Sequence, residues 1–70
     1  MTKNGYYLYQ VYYKSGQCAD GSLWQGWVYE IYTDNKKPEL LRESEEWFDS
    51  EAQAGFAAIG HISLLENGEG

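Results

Sequence analysis

Residues 52–65, AQAGFAAIGHISLL, carry no Asp, Glu, Lys or Arg, and small or apolar side chains occupy nearly every position. A lone surface helix keeps one face charged, so a helix this poor in polar groups is usually covered on both sides. Its start is legible. Ser50 followed three residues later by Gln53 fits a capping box, in which the serine oxygen takes an orphan backbone N–H and the glutamine turns back on the cap. Asp49 and Glu51 favour the positive end of the helix dipole. The helix is predicted to begin at Glu51 and to fray near Asn67 and Gly68. At about 100° per residue, Ala52, Gly55, Phe56, Ile59 and Ile62 form one stripe, assigned here to a sheet. Ala54, Ala57, His61 and Leu64 lie nearly opposite, a back face expected to meet a partner or a second copy, with Ala58 and Leu65 extending the apolar surface along a flank.

A chain of 70 residues buries only about 60% of the surface its unfolded form exposes, so a single small domain is expected. One cysteine, Cys18, excludes an internal disulfide, and no cysteine cluster exists to hold a structural zinc. Aromatic side chains must supply the core: seven Tyr, three Trp and two Phe, more ring than a disordered segment carries.

"GYYLYQVYYKSG" reads as a strand closed by a Lys-Ser-Gly turn, with Tyr7, Tyr9, Val11 and Tyr13 on one face. "SGQCADGS" reads as a loop, and "LWQGWVYEIYT" as a second strand whose Trp27, Tyr29 and Ile31 face the core. Gly26 there marks either a close approach or a bulge. "DNKKP" is a turn, and "ELLRES" a short third strand returning on the second. The expected architecture is α+β in the order β-β-β-α: a three-stranded antiparallel sheet with one C-terminal helix across one face. Residues 1–4 and 67–70 are expected to be flexible.

The net charge of −6 is unevenly spread: residues 1–37 hold four bases against three acids, residues 38–70 eight acids against Arg42 alone. Such a field repels phosphate backbones, which disfavours direct nucleic-acid binding and suits a basic protein partner. No run approaches the roughly 20 apolar residues of a membrane span, and the N-terminus lacks a secretory apolar core, so no membrane association and a cytoplasmic location are expected.

Little catalytic chemistry is available. Cys18 and His61 form the sole conceivable nucleophile and base pair, and Cys18 has no flanking positive charge to lower its pKa. No phosphate-cradling glycine loop or calcium-loop spacing occurs, so no cofactor and no metal are expected. Glu43, Glu45, Glu46, Asp49 and Glu51 read either as a solvated helix approach or as an acidic docking patch. Tyr6, Tyr12, Trp24 and Tyr32 form the outer aromatic surface of the sheet, open to a protein interface or to stacking on a ligand or single-stranded nucleic acid.

The order of strands followed by "LLRESEEWFDSEAQAGFAAIGHI" resembles the small YegP-like families of unknown function, at Leu41, Ser44, Phe48, Ser50, Ala54, Ala58 and Ile59. The resemblance covers the C-terminal half and is topological. Glu43, Glu45, Glu46 and the long aromatic first strand depart from that pattern, and the family carries no known activity. Together these readings lead to the expectation of a non-catalytic acidic interaction module. By analogy with small acidic phage proteins, it would be an inhibitor or accessory factor acting on a basic or nucleic-acid-handling protein. A homo-oligomeric structural protein and an aromatic-faced ligand-binding module are the alternatives.

Overall fold

The computed structural model describes residues 1–68. Its strands are β1 (Thr2–Asn4), β2 (Tyr7–Gln17), β3 (Leu23–Thr33) and β4 (Leu40–Glu43), and one helix, α1 (Glu51–Glu66), follows. They form a single antiparallel sheet in the order β1-β2-β3-β4, so every connection is a hairpin and α1 crosses one face. The α+β class holds, but the sheet has four strands where three were expected. The additional one lies in the segment expected to be loose. Asn4 pairs with Tyr7 across a two-residue loop whose first residue, Gly5, has φ 61°. Positive φ at that position is what a tight hairpin needs, and glycine supplies it without a side-chain clash. A β-carbon on Gly5 would also collide with the Glu66 carboxylate, which accepts the backbone N–H of Tyr6 at 3.3 Å.

The β2–β3 ribbon is longer than local composition suggests. It is paired from Tyr7–Thr33 through Gln17–Leu23, carrying Lys14, Ser15, Gly16 and Gln17 into the strand instead of a turn. Gly16 belongs there because the Trp24 indole lies where a β-carbon would project. The turn is displaced to Cys18–Ser22. Gly21 has φ 91°, and Asp20 accepts from the Ser22 backbone N–H at 2.9 Å and its hydroxyl at 2.7 Å. An aspartate bonding two residues ahead builds such a turn by itself.

Along β3, residues alternate between the helix-facing side and the open side of the sheet. Ile31, at 0% exposure, and Tyr29 face α1 together with Tyr7, Tyr9 and Val11. Trp27, on the same side, makes an edge contact with its partner Tyr13 at 5.6 Å between ring centroids.

The helix begins as expected. Gln53 donates its backbone N–H to Ser50 Oγ at 3.2 Å. The returning Gln53 side chain accepts the N–H of Asp49, one residue before the cap, at 3.1 Å. Asn67 closes the other end, and the tail beyond Gly68 lies outside the described residues.

The helix is rotated from the expected orientation. Ala54, Ala58 and Ile62 are fully buried against the sheet, and Ala57, His61 and Leu65 are half-buried beside them. Of the stripe assigned to the sheet, only Ile62 is buried. Phe56 is 75% exposed, Ala52 and Ile59 are open to solvent, and Gly55 is half-buried. Ala54, Ala57 and His61 are therefore inner residues, not a back face, while Leu64 does lie on the outside. The reason is volume. The sheet presents tyrosine rings to the helix, and interiors close to crystal-like density only when large groups oppose small ones.

Because Ile62 and Ile31 are the large side chains with no exposure, Ile62→Ala is expected to lose about 2–5 kcal/mol by urea denaturation. Phe56→Ser should change stability by no more than about 0.5 kcal/mol. In the expected orientation both residues would face the sheet, and both substitutions would be costly.

Candidate functional site

Two hydrogen-bonded anchor points create the most featured region. Beyond β4 the chain stays on the edge of β3. Ser44 donates its backbone N–H to the Tyr29 carbonyl at 2.9 Å, and its hydroxyl accepts from the Tyr29 N–H at 3.2 Å. Phe48 then exchanges two backbone bonds of 2.9 Å with Trp27. Between these anchors Glu45, Glu46 and Trp47 are left to loop outward.

Trp47 folds across the open face onto Trp24, with ring centroids 4.4 Å apart. Gly26 makes this possible, since a β-carbon there would meet Trp47 Cβ at 3.1 Å and the Phe48 carbonyl oxygen at 3.2 Å. Of its two sequence readings, close approach is the one realised.

On the helix side the same loop borders a cleft of about 340 Å³. Tyr29, Phe48 and His61 provide its aromatic lining, Glu43, Glu45 and Glu46 its acids, and Arg42 completes it. Tyr29 Oη and His61 Nδ1 are 2.9 Å apart, the imidazole tautomer deciding which of them donates. Their rings meet edge to face, and Tyr29 lies tilted against Phe48 at 6.1 Å. Burial, followed by the Glu45 and Glu46 carboxylates, pushes the Tyr29 phenol above its ordinary value. A phenol held protonated in this way is a hydrogen-bonding group rather than a base.

The five acids are divided between different features of the surface. Glu43, Glu45 and Glu46 border the Tyr29–His61 cleft, whereas Glu51 lines a second cleft near the N-terminus. Asp49 is exposed and lies between Phe48 and the cap. Cys18 is exposed in the β2–β3 turn, and His61 is held against Tyr29. Among the described residues, no group of three His, Cys, Asp or Glu is placed to hold a metal ion. No helix among them is long and apolar enough to cross a membrane.

The outer aromatic residues are less free than their sequence positions suggest. Tyr6 is 81% exposed, at the β1–β2 turn. Tyr12 and Tyr32 are half-buried and donate their hydroxyls to the Glu30 carboxylate at 3.3 and 2.8 Å, where Gln10 Nε2 also donates at 2.8 Å. Trp24 is half-buried with Trp47 against it. Sequence reasoning singled out neither Glu30 nor Trp47. A lone acid inside an aromatic strand was the available signal for Glu30. For Trp47 there was none, because its position depends on the two anchors.

Comparisons with protein-family models, with curated proteins and with solved structures return no match.

Burial pushes the Glu30 carboxyl up, but hydrogen bonds from Gln10, Tyr32 and Tyr12, with nearby Lys14, outweigh it and leave its pKa below the ordinary 4.5. The stabilisation is fully present above that value and disappears as pH falls through the lower folded pKa. Glu30→Gln is expected to have a shallower decline of Tm with acidification than the wild type. Equal slopes in the two proteins would remove Glu30 as an acid-sensitive support of the sheet.

Proposed function

We propose that the protein is a non-catalytic interaction module whose Tyr29–His61 cleft receives a lysine or arginine side chain from a basic protein partner. The observation that carries this reading is the gathering of Glu43, Glu45 and Glu46 around an aromatic lining of Tyr29, Phe48 and His61. Carboxylates on a partly enclosed rim attract a cation, and ring faces hold its alkyl stem and head through dispersion and cation–π contact. The Glu45–Trp47 loop is pinned at both ends by backbone hydrogen bonds, which lowers the ordering entropy lost on binding.

A basic partner also agrees with the net charge of −6, which steers positively charged surfaces toward the molecule. The role of inhibitor or accessory factor to a nucleic-acid-handling protein fits this charge, since such proteins carry basic surfaces that an acidic module can occupy. Direct stacking of single-stranded nucleic acid is the less favoured reading. The open sheet face has the Glu30 carboxylate at its centre, between Tyr12 and Tyr32, where a phosphate chain would have to pass.

Titration with a short arginine- and lysine-rich peptide, followed by NMR, should move the resonances of Tyr29, Phe48 and His61. Binding should weaken as salt rises. The double variant Glu45→Gln, Glu46→Gln, changed only at exposed positions, is expected to bind roughly three- to tenfold more weakly. Absence of binding by the wild type, or unchanged affinity in the double variant, would count against the reading.

A further inference from the structure

The β2–β3 ladder is eleven pairs long, yet β1 covers β2 only at Tyr7, Leu8 and Tyr9. Among the described residues no strand pairs with the outer side of β2 beyond Tyr9, so residues 10–17 present an open backbone edge. Proteins normally blunt such an edge with proline, a bulge or several charges. Here the sequence is QVYYKSGQ, with Lys14 as its one charge and no proline. Where the edge begins, a cleft of about 790 Å³ separates Glu51, Ala52 and Gly55 of the helix from Tyr9 and Val11 of the strand. A strand added beside β2 would enter it.

We infer that this edge pairs antiparallel with β2 of a second copy, about a two-fold axis through Tyr13. Opposed residues in an antiparallel pair share a sheet face, so a two-fold axis normal to the sheet passes through one residue and keeps both helices on the same side. Three centres compete. An axis at Tyr12 would drive residues 15–17 of the incoming strand into the place β1 occupies beside Tyr7–Tyr9. An axis at Lys14 would set two lysines directly opposite each other, which is destabilising.

An axis at Tyr13 keeps the two lysines apart and meets β1 only at its last pair, Gln17 opposite Tyr9 where Thr2 already sits, so the new ladder runs from Gln10 to Gly16. It places each Lys14 opposite Tyr12 of the other copy, a ring whose hydroxyl donates to Glu30, so the cation meets an aromatic face backed by a carboxylate. It also brings Ser15 and Gly16 of the incoming strand opposite Val11 and Gln10, where small residues fit the cleft beneath Glu51. By symmetry Lys14 meets a Tyr12–Glu30 pair twice, which favours a second copy of this chain as the occupant.

Cysteine cross-linking tests the register in a Cys18→Ser background. Opposed Cα atoms about 4.5–5.5 Å apart suit a disulfide, so Tyr13→Cys should give a covalent dimer on mild oxidation and Lys14→Cys should not. Sedimentation equilibrium of the wild type should show an 8.0 kDa chain forming a dimer. Added salt should strengthen it by screening two chains of charge −6, opposite in sign to the salt effect on a basic partner. Lys14→Glu should weaken the dimer about tenfold. A chain that stays monomeric at all concentrations overturns the inference. So does a dimer that Phe56→Ser dissolves and Lys14→Glu leaves intact, or equal cross-linking at positions 13 and 14.

Discussion

Large rings on the sheet set against small residues on the helix determine how close the two layers come, and the remaining features depend on that separation. Tyr7, Tyr9 and Tyr29 stand on the inner face, and Ala54, Ala57 and Ala58 leave room for them, while Ile62 and Ile31 fill the space that remains. A domain of this size has few kcal/mol to spare, so its dense contact must use the bulkiest groups available. Having placed its alanines inward, the helix turns Phe56, Ile59 and Leu64 outward. The same spacing brings the Tyr29 hydroxyl within hydrogen-bond distance of His61.

A second constraint is the pair of anchors on the edge of β3. Ser44 and Phe48 satisfy backbone groups of Tyr29 and Trp27 that would otherwise be an exposed edge. Because the chain is fixed at both points, the residues between them are pushed to opposite uses. Trp47 crosses Gly26 to cover Trp24 on one face, and Glu45 and Glu46 border the cleft on the other. One edge of the sheet is thereby closed, whereas the edge of β2 past Tyr9 is left open. Among the described residues, one side of the ribbon is protected by β4 and the 44–48 segment, and the outer side of β2 past Tyr9 is not.

Legibility in the sequence follows the range of the interaction. The helix start was readable because Ser50, Gln53 and Asp49 bond within four residues of one another. The alternation that placed Tyr29 and Ile31 inward is likewise local, as is the turn chemistry of Asp20 and Gly21. Strand β1 was missed because Thr2–Asn4 has little strand preference of its own and forms only where Tyr7–Tyr9 provides a template. The extension of β2 to Gln17 was missed for a related reason: pairing with Leu23–Thr33 overrides the turn signal at Lys14–Gly16. Of the candidate site, the acids Glu43, Glu45 and Glu46 and the lone His61 were visible as residue types. Their meeting around Tyr29 and Phe48 was not.

The sequence by itself determined the class of the fold, the beginning of the helix, the inward face of β3 and the acidic surplus of the C-terminal half, since each follows from neighbours along the chain. Tertiary structure alone decided which side of the helix meets the sheet. Apolar groups surround the helix almost completely, so periodicity offers no preferred direction and the choice falls to shape: alanines fit against tyrosines, and Phe56 does not.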